Sequence, residues 1–268
     1  MKRSLAAMAT ALCVVPLLAW SEEISPAALG ALPEAQVVFL GEVHDNVYHH
    51  EHQALALRSL RPSAVVFEML TPEMAAKVTP DLLGNQDALA ATLDWAQSGW
   101  PDFSVYYPVF EASAGAEIYG AQVPREDARA AVMGSDVGAV FGPRAEEFGL
   151  LAPLPEAQQT EREAKQMRAH CDALPADMLP GMVLAQRLRD AALARAATQA
   201  LEATGGPVAV ITGNGHARTD WGAAALMGSG VTVLSIGQFE ATPERSQPFD
   251  LWLVTDAVDR EDPCAAFK

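Results

Sequence analysis

The chain has 268 residues, 34 of them acidic and only 18 basic, for a formal charge of −16. An excess of carboxylates with no cluster of Lys and Arg weighs against nucleic acid and anionic membrane surfaces as partners. The length fits a single α/β domain with one sizeable core.

Met1-Lys2-Arg3 is a short basic start, and Leu5 to Trp20 is an apolar, alanine-rich run too short to span a bilayer comfortably. Ala19 and Ser21 put small residues where a signal peptidase cuts. Residues 1–21 therefore read as a signal peptide and 22–268 as the mature domain, with the periplasm as the expected compartment. Cys13 follows the bulky Leu12, where a lipoprotein cleavage box requires a small residue, so a lipid anchor is not expected. Loss of Lys2 and Arg3 leaves 16 basic against 34 acidic residues, a formal charge near −18.

Val37 to Leu40 is a short apolar run rich in β-branched residues and stopped by Gly41, the pattern of a buried strand. Asp45 or Asn46 can cap a helix from about Tyr48 to Leu60, which returns the chain to a second strand, Ala64 to Phe67. This strand–helix–strand unit makes the two strands parallel neighbours. Thr71-Pro72 begins a helical region that reaches about Ala114, with helices expected over Gln86–Gln97 and Val109–Ala114. A further strand falls between Ala116 and Val123. Gly134 to Pro155 is rich in glycine and proline and reads as loop. Glu156 to Ala203 is mostly helical, interrupted between Cys171 and Pro180, and the end returns to sheet at Val208–Thr212, Val231–Ile236 and Leu251–Thr255. The fold class is α/β: one mainly parallel sheet flanked by helices, with an added helical region.

Four of these strands deliver a titratable side chain at the carboxyl end, where open α/β sheets bind ligands. Gly41-Glu42-Val43-His44-Asp45 follows the first, and in extended backbone Glu42 and His44 point to the same side. Phe67 leads into Glu68, and Val123 into Pro124-Arg125. Val208–Thr212 runs into Gly213-Asn214-Gly215-His216, a tight turn with the imidazole just beyond it. Glu42, His44, Glu68, Arg125 and His216 are thus expected to form one pocket. Imidazole and carboxylate suit general acid–base chemistry, and Glu42, His44 and His216 also suit a divalent metal such as Mn, Co or Zn. On the long helix, Arg189 and Asp190 read as a buried ion pair.

No HExxH, GxSxG or Walker sequence is present, so familiar protease, α/β-hydrolase and NTPase classes gain no support. The absence of CxxCH excludes covalent c-type haem attachment. Cys171 and Cys264 can form a disulfide in an oxidising compartment, but spacing alone leaves the pairing open.

GEVHDNVYHHEHQ, AVVFEML, VPRE, AQRLRDAALA and GNGHARTDWG, in this order, resemble the ChaN family of haem-binding uptake proteins, members of the Tiki superfamily with erythromycin-esterase-like relatives. The resemblance runs from about Gln36 to about Thr255. It implies an α/β fold and a role in haem or iron uptake, with haem held non-covalently and a homodimer possible on haem binding. A tyrosine phenolate can ligate ferric haem. Tyr48, one helical turn past His44, is the first candidate and Tyr107 the second, with His49 or His50 set to meet the propionates. The alternative is a hydrolase, metal-dependent or Glu/His-based, that uses the same strand-end pocket.

Overall fold

A computed structural model describes residues 21–262 and 264–265; the expected signal peptide, apart from Ser21, and Cys13 lie outside the described residues. The elements in chain order begin with β1 (Glu22–Glu23), β2 (Val37–Glu42), α1 (Val47–Leu60) and β3 (Ala64–Phe67). The added helical region then follows as α2 (Pro72–Ala75), α3 (Pro80–Leu83), α4 (Gln86–Thr92) and α5 (Phe103–Ala112). Next come β4 (Glu117–Gly120), α6 (Arg125–Val132), α7 (Val137–Phe141), α8 (Glu156–Ala169) and α9 (Leu179–Thr204). The chain closes with β5 (Val208–Gly213), α10 (Asn214–Ala217), β6 (Val233–Phe239) and β7 (Leu251–Val254).

All seven strands form one parallel sheet in the order β1-β7-β6-β2-β5-β3-β4. The order corrects one expectation: β2 and β3 are not neighbours. β5 lies between them, pairing Val37 with Val208 on one side and Ala64 with Val208 on the other. The helix joining β2 to β3 spans a one-strand gap that the chain fills only when β5 forms, placing the reversal of strand order at the sheet centre, where open α/β sheets bind ligands.

Side-chain alternation sends each strand into two cores. Val37, Phe39, Val66 and Val210 face α9, α6 and α7. Val38, Leu40, Phe67 and Ile211 face α1 and the α2–α5 region, where Phe67 stacks on Phe110. Because both faces are covered, the central strands read as continuous apolar runs.

Local chemistry sets the helix ends. The Asn46 side chain accepts from the backbone N–H groups of Tyr48 and His49, starting α1. Thr71 caps α2 by accepting from Met74 N–H, with Pro72 next in line. α9 ends on Gly205 at φ +76°, a left-handed cap that glycine adopts without a Cβ penalty.

Several boundaries differ from the sequence expectation. Asp102 caps α5 through Ser104 N–H, so this helix starts at Phe103 and runs through Pro108, which forfeits one backbone bond. The helix expected over Gln86–Gln97 stops at Thr92 and resumes as a single tight turn, and α7 forms inside the expected Gly134–Pro155 loop. β1 is an unforeseen edge strand. Cys171 and Cys264 are joined in a disulfide across 93 residues, tying the C-terminal tail to the α8–α9 connection. Among the described residues, no helix is long and apolar enough to cross a membrane.

Candidate functional site

Glu42 ends β2 on the α1–α5 face, fully enclosed, and every bond it makes is explained by its neighbours. Its Oε1 accepts from the Tyr106 hydroxyl at 2.9 Å and from His44 Nδ1 at 2.7 Å. Its Oε2 accepts from Gln53 Nε2 at 2.7 Å, and His50 Nδ1 stands 3.4 Å away. The Nε2 of His50 donates to the His44 carbonyl, so both of its ring nitrogens face acceptors. Burial raises the Glu42 carboxyl, but the charges of His50 and His44, with the hydrogen bonds from His44 and Gln53, outweigh it and hold it down at about 2. Burial and the Glu42 carboxylate together push the Tyr106 phenol well above its ordinary range.

His44 is the reverse case. Burial lowers its imidazole, yet the hydrogen bond to Glu42 and the charges of Glu68, Glu42 and Asp45 raise it to about 9. Glu42 and His44 therefore form an ion pair at neutral pH. The His44 ring lies edge-on to Trp100, with 38 % of its side chain exposed. Its Nε2 crowds the backbone of β5: a Cβ on Gly213 would stand 2.8 Å from it, so this position makes room for the imidazole.

The second couple sits on the α9 face. Glu68 accepts from the Thr212 hydroxyl at 2.6 Å and from Gly213 N–H at 2.8 Å, and its other oxygen stands 3.6 Å from His216 Nε2. His216 Nδ1 donates to Asp190 at 2.6 Å. Burial raises Glu68, but His216, His44 and the two donors bring it below its ordinary value. For His216 burial lowers the imidazole, and Glu68 and Asp190 more than compensate, so it rises.

The two couples share one cleft with two lobes. A cavity of about 420 Å³ is lined by His44, Glu68, Trp100, Arg125, Arg189 and His216. A second of about 400 Å³ is lined by Glu42, His44 and His216 together with Arg162, Lys165 and Trp221. His170 and Gln186 border both.

Arg125 reaches the rim only: its guanidinium donates to the Ser98 carbonyl at 3.0 Å, and it makes no ion pair with either glutamate. Imidazoles, not arginine, offset the carboxylates. Glu42, His44 and His216 do not form a metal ligand set, and no cluster of three potential ligands occurs among the described residues. Both Glu42 oxygens already accept protein donors.

His49 and His50 are completely buried and cannot meet a propionate. His49 Nδ1 accepts from Val43 N–H, which leaves its proton on Nε2 for the Thr255 hydroxyl; burial holds this imidazole down at about 4. The Tyr107 hydroxyl donates to the Leu83 carbonyl. Tyr48 differs: it is 41 % exposed and its phenol makes no hydrogen bond among the described residues. Arg189 does not pair with Asp190, which turns to His216 instead. Sequence reasoning therefore missed Asp190 as the His216 partner, and Gln53 and Tyr106 as partners of Glu42. A polar residue inside an otherwise apolar or alanine-rich stretch was the available signal for each.

The two carboxylate–imidazole couples lie at the carboxyl ends of central strands in a parallel α/β sheet. The family model for haem-binding uptake proteins of the Tiki superfamily, ChaN, matches residues 28–227, and the chain belongs to that family. The structure is similar to ChaN of Campylobacter jejuni with cofacially bound haem, at 17 % identity and TM-score 0.61, covering 81 % of this chain and 86 % of that one. It is also similar to the type III effector HopBA1, at 15 % identity and TM-score 0.47 over 87 % of this chain and 92 % of that one. A mutant of the erythromycin esterase EreC in its open conformation shows 14 % identity and TM-score 0.43 over 80 % and 75 % of the two chains. No curated protein matches the sequence.

Proposed function

We propose that this protein is exported and binds haem non-covalently, in haem or iron handling. Family membership supports the ligand, and Tyr48 is the observation that carries the reading to this chain. Of the four tyrosines, Tyr106, Tyr107 and Tyr119 spend their hydroxyls on Glu42, Leu83 and Glu117. Tyr48, at the start of α1, makes no such bond among the described residues. An oxygen donor of this kind suits ferric haem, and Tyr48 would hold the iron that the group supplies when bound. The disulfide fits an oxidising compartment and so supports export. A homodimer on haem binding belongs to the same reading. Titration with haemin should give a Soret band distinct from free haemin, and Tyr48→Phe should shift or abolish it. A spectrum of free haemin alone, at protein excess, overturns the reading.

One observation favours a second function in the same molecule: two imidazole–carboxylate couples border one cleft. With His44 raised to about 9, the imidazolium serves as proton donor and electrostatic stabiliser at neutral pH rather than as base. Glu68 is the carboxylate shared between His216 and the cavity. Ester turnover lost in both Glu68→Gln and His44→Ala, with haem binding retained, would assign this activity to the cleft.

A further inference from the structure

α8 presents Arg162, Lys165 and Gln166 at the spacing that puts side chains on one helix face, and all three line the lobe shared with His44 and His216. None of the three has its chemistry satisfied by the protein. Lys165 is half-buried and makes neither a hydrogen bond nor an ion pair among the described residues. Arg162 donates from Nη2 to Gln158 and stands over the Trp221 ring, but its Nε is buried without a partner and it meets no carboxylate within ion-pair distance. Gln166 is only 9 % exposed, and its Oε1 is buried without a partner.

The carboxylates nearest to this lobe are already committed. Asp190 holds His216 Nδ1, and Asp220 holds Arg218, whose guanidinium lies on the same Trp221 ring. Glu42 is saturated by Tyr106, His44 and Gln53. Two cations and an unpaired amide are thus left at the wall of a cavity. A withdrawn charge with no counter-charge is unfavourable, and an amide with no partner adds to the cost. A bound anion relieves the two cations, and the Gln166 carbonyl oxygen, an acceptor, is relieved by a hydroxyl or other donor on the same ligand.

We infer that this lobe is an oxyanion subsite, taking a carboxylate or phosphate group of a ligand on Lys165 and Arg162. Gln166 Oε1 accepts from a hydroxyl beside that group. The lobe opens onto His44 and His216, so the anionic group anchors one end of a ligand whose remainder reaches the acid–base couples. The subsite goes beyond the haem reading, since it specifies ligand charge on α8 and does not involve Tyr48. Burial lowers the Lys165 ammonium and the neighbouring Arg218 lowers it further, while Asp190 and Asp220 act the other way; a bound anion would reinforce the latter.

The test uses the intact, oxidised protein. Inorganic phosphate and propionate are titrated separately by calorimetry at constant ionic strength, against wild type, Lys165→Gln, Arg162→Gln and, as a remote control, Lys77→Gln. Saturable binding of either probe, weakened about tenfold or more in Lys165→Gln and Arg162→Gln but unchanged in Lys77→Gln, supports the subsite. Phosphate alone identifies a phosphorylated ligand, and propionate alone a carboxylate. Far-UV circular dichroism and thermal unfolding confirm that each variant is folded. Failure of both probes to saturate, or wild-type binding in the two α8 variants, overturns the inference. A spectrum of free haemin alone with saturable anion binding intact overturns the haem reading and not this one, whereas a bound-haem Soret band with neither anion saturating overturns this one alone.

Discussion

Replacing His44 with alanine tests the ion pair at the heart of the site, because its energetic signature depends on pH in a defined way. Glu42 is held at about 2 against an ordinary 4.5, a displacement worth about 3 kcal/mol of differential stabilisation shared among His50, His44 and Gln53. Its contribution is fully present above 4.5 and is lost as pH falls towards 2. His44 is raised from 6.5 to about 9, so its contribution is full below 6.5 and is lost as pH rises through 9. These are two views of one interaction and are not added. His44 is also more than a third exposed, so water screens it. Its share comes to about 1–2 kcal/mol, the range of one hydrogen bond to a charged group after that discount. Urea unfolding of wild type and His44→Ala across pH 3 to 10 should therefore give a difference that is largest between 4.5 and 6.5 and shrinks on both sides. A difference that stays constant with pH would refute the electrostatic account and leave only packing of the ring against Trp100 and Gly213.

Asp190→Asn keeps a side-chain oxygen for His216 Nδ1 but removes the charge, so the His216 pKa should fall in an NMR titration; an unmoved value would exclude Asp190 as a cause of its elevation. Replacing both Cys171 and Cys264 by serine releases a constraint across 93 residues and should cost about 4 kcal/mol in urea unfolding, with a loss below about 1 kcal/mol refuting the chain-entropy argument. Gly181→Ala places a methyl against the Val132 carbonyl where α9 meets α6. Because the backbone there is ordinary helix, the contact alone should lower stability, by about 1–3 kcal/mol as read by thermal unfolding; an unchanged or raised melting temperature would show that α6 yields freely.

Much of the fold was legible because both faces of the sheet are covered. Val37–Leu40, Ala64–Phe67 and Val208–Thr212 are apolar without interruption, and each ends where a glycine or a charge begins. β1 left no trace: two exposed glutamates carry neither alternation nor hydrophobicity, and only the edge of β7 makes them a strand. Strand order was equally hidden. A local rule joins β2 to β3, but the insertion of β5 between them is decided by pairing across more than a hundred residues. For the site, Glu42, His44, Glu68 and His216 were visible because each follows directly on a strand. The error over Asp190 arose because helix spacing does not say which turn faces the sheet; packing of Leu188, Ala191 and Leu193 settles it and presents the carboxylate to His216. Lys165 and Gln166 lie in a helix so polar throughout that nothing in the sequence marks them off from a solvated face.

The charge distribution has a kinetic consequence that opposes its effect on binding. The protein carries a formal charge of −16, yet the carboxylates within the cleft are offset in part by imidazoles, while Lys165, Arg162 and Arg189 face its cavities without an ion-pair partner among the described residues. An anionic ligand is repelled by the surface at a distance and attracted only on entry. Added salt screens the long-range repulsion first, since the Debye length is about 10 Å at 0.1 M, and protects the withdrawn contact more than the open surface. Association of anionic haemin in stopped-flow experiments should therefore accelerate between about 0.02 and 0.2 M salt. Dissociation should accelerate over the same range, because the cationic contacts in the bound state are also weakened, and more weakly so in Lys165→Gln. An association rate that falls as salt is added would mean that steering is attractive from the outset. The surface near the cleft mouth would then have to be positive in spite of the net charge, and the separation between a repelling exterior and an attracting interior would be wrong.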